Sequence, residues 1–240
     1  MRVAKEVILA GGALNSPQLL MLSGVGDGDE LRAHGIDVVA DRTEVGKNLV
    51  DHLVSGLIVE VAGGSLSAAG RPAQLIDYLL RRRGITLGVL LEQPRSHGTV
   101  GLASADPMAA PLIDPRYLSD PDGADRRAML AGLRLADRIL HAAAFHGVVG
   151  DYIAPEGGGS LAAEERYVAA PEQYAHTMYH PVGTCRMGSD AASVVDPQLR
   201  VRGVEGLRVA DASVMPTIIR GHTHAPTLLI GERAADLILA

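Results

Sequence analysis

The stretch VAKEVILAGGALNSPQLLMLSGVG, running from Val3 to Gly26, decides the fold class. Val3 to Ala10 is apolar, carries β-branched residues near its end and runs into Gly11-Gly12, as a buried strand that stops abruptly would. Asn15-Ser16-Pro17 then supplies a helix start, a polar cap followed by a proline whose missing N–H costs nothing in the first turn. The helix expected over Gln18 to Ser23 ends at Gly24-Val25-Gly26. A second short helix is expected from Asp29 to His34, stopped by Gly35, and a strand from Ile36 to Ala40. Strand, helix, helix and strand in this order point to an α/β fold. The glycine cluster Gly24-Val25-Gly26-Asp27-Gly28 is no dinucleotide fingerprint. It follows a helix instead of a strand and has Asp29 where the third glycine belongs.

Further along, Leu53 to Val61 reads as a strand and Gly63 to Gly70 as a small-residue loop. Pro72 to Arg83 reads as a helix with Leu75, Ile76, Leu79 and Leu80 at helical spacing and a solvated arginine end. Strands are expected at Gly88 to Leu91 and Gly98 to Ala103. A long helix is expected over Asp122 to Ala144, with Leu130, Leu133, Leu135 and Ile139 near one stripe. Leu161 to Ala170 reads as a helix closed by Pro171. The last segment gives a strand at Leu207 to Ala210 and a helix from about Ala225 to Leu239, separated by a polar loop around His222.

The chain's 240 residues suffice for a real hydrophobic core, and 47% hydrophobic against 21% charged residues excludes a disordered scaffold. A net charge of −6 argues against nucleic acid as a partner. One cysteine excludes an internal disulfide and a cysteine metal cluster. No stretch has the length of a membrane span and the first residues lack a signal-peptide core, so the expectation is a cytoplasmic chain. With 28 glycines and only 3% aromatic residues, a flat ligand is expected to be held by backbone and small side chains.

Histidines carry the chemical signal. Tyr179-His180-Pro181-Val182-Gly183-Thr184-Cys185-Arg186-Met187-Gly188 and Arg220-Gly221-His222-Thr223-His224-Ala225-Pro226-Thr227 are polar stretches beside apolar elements, suited to the walls of a cleft. Two neutral imidazoles can share one substrate hydroxyl, one taking the proton while the other hydrogen-bonds the oxygen. The same residues also allow structural histidines, or a metal site that lacks an obvious third ligand. The N-terminus of the final helix would stabilise an electron-rich ring or an oxyanion.

Gly12 to Gly26 resembles the second signature of the glucose-methanol-choline (GMC) flavoprotein oxidoreductases at every defined position. Val45-Gly46-Lys47-Asn48-Leu49-Val50-Asp51-His52, Pro94-Arg95-Ser96-His97-Gly98, the His180 stretch, Val209 to Pro216 and Gly221 to Thr227 follow in the family's order. The resemblance implies that His180 takes the proton of an alcohol and that His222 hydrogen-bonds the same oxygen. It implies FAD as cofactor and a small-molecule alcohol as substrate, with no metal. Asp211 and Ala212 would lie at the ribityl and pyrophosphate part of FAD, Pro226 and Thr227 at the flavin ring, Tyr179 at its edge and Gly11 near the adenine half. His52 is read as structural, and His224 stands where the family often has an amide. The expected fold is α/β with mixed α+β character. Residues 1–52 and 186–240 would form part of a discontinuous FAD-binding domain, and 53–185 an inserted, shortened substrate-binding portion.

The chain departs from the family pattern in two places. The 240 residues contain no G-x-G-x-x-G, which the family carries on an N-terminal βαβ unit, and few residues separate Gly84-Ile85-Thr86-Leu87-Gly88 from Pro94-Arg95-Ser96. Three readings follow: an alcohol oxidoreductase completed by a separate N-terminal FAD-binding polypeptide, a non-catalytic remnant, or a flavin-containing hydroxynitrile lyase. Joining the chain's ends would place Gly11 and Asp211 on neighbouring strands and turn His180 and His222 toward one cleft.

Overall fold

The computed structural model describes residues 5–61 and 84–239. The expected loop at Gly63 to Gly70 and helix at Pro72 to Arg83 lie outside the described residues. In chain order the elements are β1 (Val7–Leu9), α1 (Gly12–Leu22), β2 (Val25–Gly26), α2 (Gly28–Ala33), β3 (Ala40–Asp41), β4 (Leu53–Val61), β5 (Gly84–Leu91), β6 (Thr99–Gly101) and β7 (Leu112–Asp114). They continue with α3 (Ala124–Leu140), β8 (Val149–Ala154), α4 (Ala163–Tyr174), β9 (His176–Thr177), β10 (Leu207–Val209) and α5 (His224–Leu239). Two compact units result. The first consists of Met1–His52, Glu92–Asp122 and Tyr179–Ala240, and the second of Leu53–Leu91 and Gly123–Met178. Of the range 53–185 read as one portion, residues 92–122 and 179–185 therefore belong to the first unit.

In the first unit β1 lies parallel to β10, Val7 opposite Leu207 and Leu9 opposite Val209. Gly11 and Asp211 thus follow the ends of adjacent strands. The expected strand at Ile36 to Ala40 shrinks to β3, which pairs with the equally short β2. Helix α1 begins at Gly12, ahead of the expected cap, and Pro17 lies inside it. Proline leaves the carbonyl four residues earlier without its helical donor. Here the buried Thr184 hydroxyl replaces that donor, giving a hydrogen bond to the Ala13 carbonyl at 2.6 Å. Leu20 and Met21 of α1, Leu31 of α2, and Cys185, Val195 and Val209 meet in one buried cluster.

The second unit is a sheet in the order β5-β4-β8, with β9 added antiparallel at Leu53 and Val54. β4 has the bounds expected from sequence, and as the central strand it buries Leu57, Ile58 and Val59. The buried stripe of α3 is Met129, Leu133, Ala136 and Leu140, whereas Leu135 and Ile139 are exposed, contrary to the sequence reading. Asp137 takes a core-facing position instead, because it accepts hydrogen bonds from Tyr167, at 2.6 Å, and from Tyr152. Helix α4 passes through Pro171, where the sequence suggested a stop, and closes by the Ala175 N–H on the Pro171 carbonyl at 3.2 Å. β8 was not read from the sequence, since Gly150 and Asp151 break its apolar run. Among the described residues no helix is long and apolar enough to cross a membrane.

Candidate active site

Two distant stretches zip together to hold the first imidazole. Val50 and Val182 exchange backbone hydrogen bonds at 3.1 and 2.9 Å, which sets residues 48–52 antiparallel to 180–183. Gly183 has φ +91°, and a Cβ there would lie 2.4 Å from the Asn48 carbonyl oxygen, so only glycine permits this approach. The buried Asp51 completes the clamp. Its Oδ1 accepts the His180 N–H at 2.9 Å and its Oδ2 accepts the Tyr117 hydroxyl at 2.5 Å. Tyr179, at φ +63°, turns the chain just before His180, and its side chain is exposed.

Three histidines then form a chain. His180 Nδ1 lies 2.9 Å from His52 Nδ1, and His180 Nε2 lies 3.2 Å from His222 Nδ1. Both ring pairs are 5.1 Å apart between centroids and nearly perpendicular. His52 is fully buried, with Nε2 at 3.1 Å from the Glu92 carbonyl and 3.0 Å from that of Ile219. His222 follows Gly221, at φ +96°, and is exposed just ahead of α5. Burial pushes the His180 pKa down, the neighbouring His52 and His222 push it further the same way, and Asp51 opposes them. Burial and the two neighbouring histidines each favour the uncharged ring. Its nitrogens face the other imidazoles at hydrogen-bonding distance and do not converge on a common ion. Among the described residues no group of three histidine, cysteine or acidic side chains is arranged to hold a metal.

The other singled-out residues fall in two groups. At the β1 and β10 ends, Asp211 Oδ2 accepts the Gly12 N–H at 3.0 Å and the Ser16 hydroxyl at 2.5 Å. Asp211 Oδ1 accepts the Ser213 N–H at 2.8 Å, while Gly11 donates to Ser16 Oγ at 3.0 Å. The Asp211 side chain therefore ties the turn after β1 to the turn that begins at Ala212. In the first turn of α5, Thr227 donates both its N–H and its hydroxyl to the Thr223 carbonyl, at 3.1 and 2.7 Å. Pro226 precedes it, and His224 opens the helix. No site role was read from sequence for Asp51 or Tyr117, and the contact of His52 with His180 was not read from it either. The adjacency of Asp51 and His52 was visible, but their partners lie 66 and 128 residues away.

Family models described as GMC oxidoreductase match residues 94–231 and 1–54. A GMC-type oxidoreductase of Mycobacterium bovis is 50% identical over 279 aligned positions, covering 98% of this chain and 53% of the relative. An alcohol dehydrogenase [acceptor] of Pseudomonas putida is 39% identical, covering 98% of this chain and 51% of that protein. A solved structure of Aspergillus oryzae formate oxidase, studied for its FAD modification, superposes with a TM-score of 0.83 at 26% identity, over 98% of this chain and 54% of that one. With the fold, the ordered motifs and these matches in hand, the chain belongs to the GMC oxidoreductase family. It spans about half the length of the curated relatives it matches. The 279 aligned positions exceed its 240 residues, so the mycobacterial relative has residues inside the matched region that this chain lacks. In these relatives the matching region is part of one longer chain, which gives no support to a separate FAD-binding polypeptide.

Proposed function

We propose that this chain carries the proton-accepting centre of an FAD-dependent oxidation of alcohols. The observation that carries the reading is the pair His180 Nε2 and His222 Nδ1, 3.2 Å apart, on a partly accessible imidazole whose pKa burial and its histidine neighbours push down. An alcohol hydroxyl placed against these nitrogens gives its proton to His180 and takes a hydrogen bond from His222, so that negative charge does not accumulate on oxygen as the C–H bond breaks. When bound, FAD supplies the acceptor for the hydride that leaves the carbinol carbon.

The residues present fit such a group. Gly12, at φ +78°, has open space where a Cβ would stand, so a ligand can approach the backbone there closely. Asp211 holds that turn with its inward bonds, and Gly11 and Ala212 present backbone on either side of it. The N-terminus of α5 offers the first-turn N–H groups of His224 and Ala225, which lack partners within the helix, next to Pro226, which has no N–H, and Thr227, whose N–H is taken by the Thr223 carbonyl. Tyr179 supplies an exposed ring next to His180. In this reading residues 1–52 and 186–240 belong to the cofactor-binding portion and 53–185 to the substrate-binding portion.

The test is to titrate the purified chain with FAD, follow the visible spectrum, and assay a panel of primary and secondary alcohols for carbonyl product. Stoichiometric flavin binding with product formation supports the reading. Flavin-independent cyanide release from a cyanohydrin, or neither binding nor product, overturns it.

A further inference from the structure

We infer that His52 is a positioning residue that fixes the tautomer of His180, so that Nε2 and not Nδ1 is its basic nitrogen. The inference rests on reading His180 as the proton acceptor, and it is carried by hydrogen-bond polarity. His52 Nε2 sits 3.1 and 3.0 Å from two backbone carbonyl oxygens, those of Glu92 and Ile219. Carbonyl oxygens only accept, so Nε2 of His52 carries the hydrogen. A neutral imidazole has one donor and one acceptor nitrogen, which leaves His52 Nδ1 as an acceptor. His180 Nδ1, 2.9 Å away, must then donate.

The consequence falls on the other side of the His180 ring. With its hydrogen on Nδ1, neutral His180 presents a bare lone pair at Nε2, the nitrogen that faces His222 at 3.2 Å. An imidazole in water prefers the opposite tautomer, with hydrogen on Nε2, which would present a donor where the reaction needs a base. His52, itself fully buried, reverses that preference through two backbone carbonyls and one ring contact. The Asp51 bond to the His180 N–H, at 2.9 Å, holds the backbone from which the ring projects and leaves the ring nitrogens to the two flanking histidines. When His180 Nε2 takes a proton, His52 Nδ1 accepts from the resulting imidazolium, which spreads the charge.

The test is long-range proton–nitrogen correlation NMR on the full chain labelled with nitrogen-15 at histidine, at a pH above the histidine range and without cofactor or alcohol. The expected spectrum shows His180 protonated at Nδ1 and His52 at Nε2. In His52→Ala the His180 signals shift to the Nε2-protonated form. In His52→Asn, whose side-chain oxygen replaces the Nδ1 acceptor, the Nδ1-protonated form is kept. With flavin and alcohol added, His52→Ala is expected to lose about 10²-fold or more in kcat with KM little changed, and His52→Asn to recover most of it. His180 protonated at Nε2 in the parent, or an unchanged tautomer in a folded His52→Ala, overturns the inference. If the parent shows the expected tautomer but His180→Ala leaves alcohol oxidation unaffected, the tautomer assignment stands and the proposed function fails. If the tautomer is wrong while His180→Ala abolishes oxidation, the reverse holds.

Discussion

Replacing Asp211 by alanine removes the acceptor for three donors in one step. The Gly12 N–H is half-buried and can be rehydrated, so its loss is small. The Ser16 hydroxyl and the Ser213 N–H belong to fully buried residues. A buried donor left without its partner costs about 1–3 kcal/mol, so two of them give about 2–6 kcal/mol for Asp211→Ala. Asp211→Asn keeps an oxygen for Ser213 but turns an amide toward the donors at Gly12 and Ser16, for about 1–3 kcal/mol. A whole domain is stable by only about 5–15 kcal/mol, so the alanine variant stands near the edge of folding. Because the chain has two compact units, hydrogen exchange of peptides covering residues 10–22 and 207–216 is the appropriate assay, since it reports on the unit that contains Asp211. Ser16→Ala should couple to Asp211→Ala by about 0.5–3 kcal/mol in a double-mutant cycle. An Asp211→Ala protein whose exchange in those peptides matches the parent to within about 0.5 kcal/mol, the usual scatter between independent sites, would refute this account of the turn.

Three further outcomes follow. Thr184→Val leaves the Ala13 carbonyl without a donor where Pro17 cannot supply one, and should destabilise by about 1–3 kcal/mol, read as faster exchange in α1; no change would mean that another donor serves Ala13. The native His180 pKa lies below its unfolded value, so the unfolded chain binds a proton that the folded one does not. Stability is therefore full above about pH 6.5 and falls as pH drops through the native pKa, and His180→Gln should flatten the urea-midpoint profile between pH 7 and 5; an equally steep profile would contradict this. Cys185 is fully buried and burial pushes its thiol pKa up, so a thiol reagent should label it in urea and not in the native chain, and rapid native labelling would show that the core around it is open.

How far the fold and the site could be read from sequence depended on how local their causes are. β4 was legible because its apolar run faces core on both sides of the sheet and needs no distant partner to be recognised. The start of α1 was not, because Pro17 looks like a first-turn residue until Thr184, 171 positions from Ala13, is seen to replace the missing donor. The stripe of α3 was misplaced since Asp137, polar in sequence, is drawn inward by two tyrosines from β8 and α4. At the site, His180 and His222 were legible as types of residue in suitable loops, and the fold brings their nitrogens together. His52 looked structural because nothing within its own stretch reveals that it abuts His180; that contact needs the antiparallel pairing at Val50 and Val182.

The most direct measurement is anaerobic mixing of the flavin-loaded chain with an alcohol, in parent and in His180→Ala, following the flavin absorbance. The account predicts that the parent bleaches with formation of a carbonyl product, and that the variant binds flavin equally but bleaches slower by about 10²–10⁴-fold. Equal bleaching in both, or flavin bound without any response to alcohol, would contradict it.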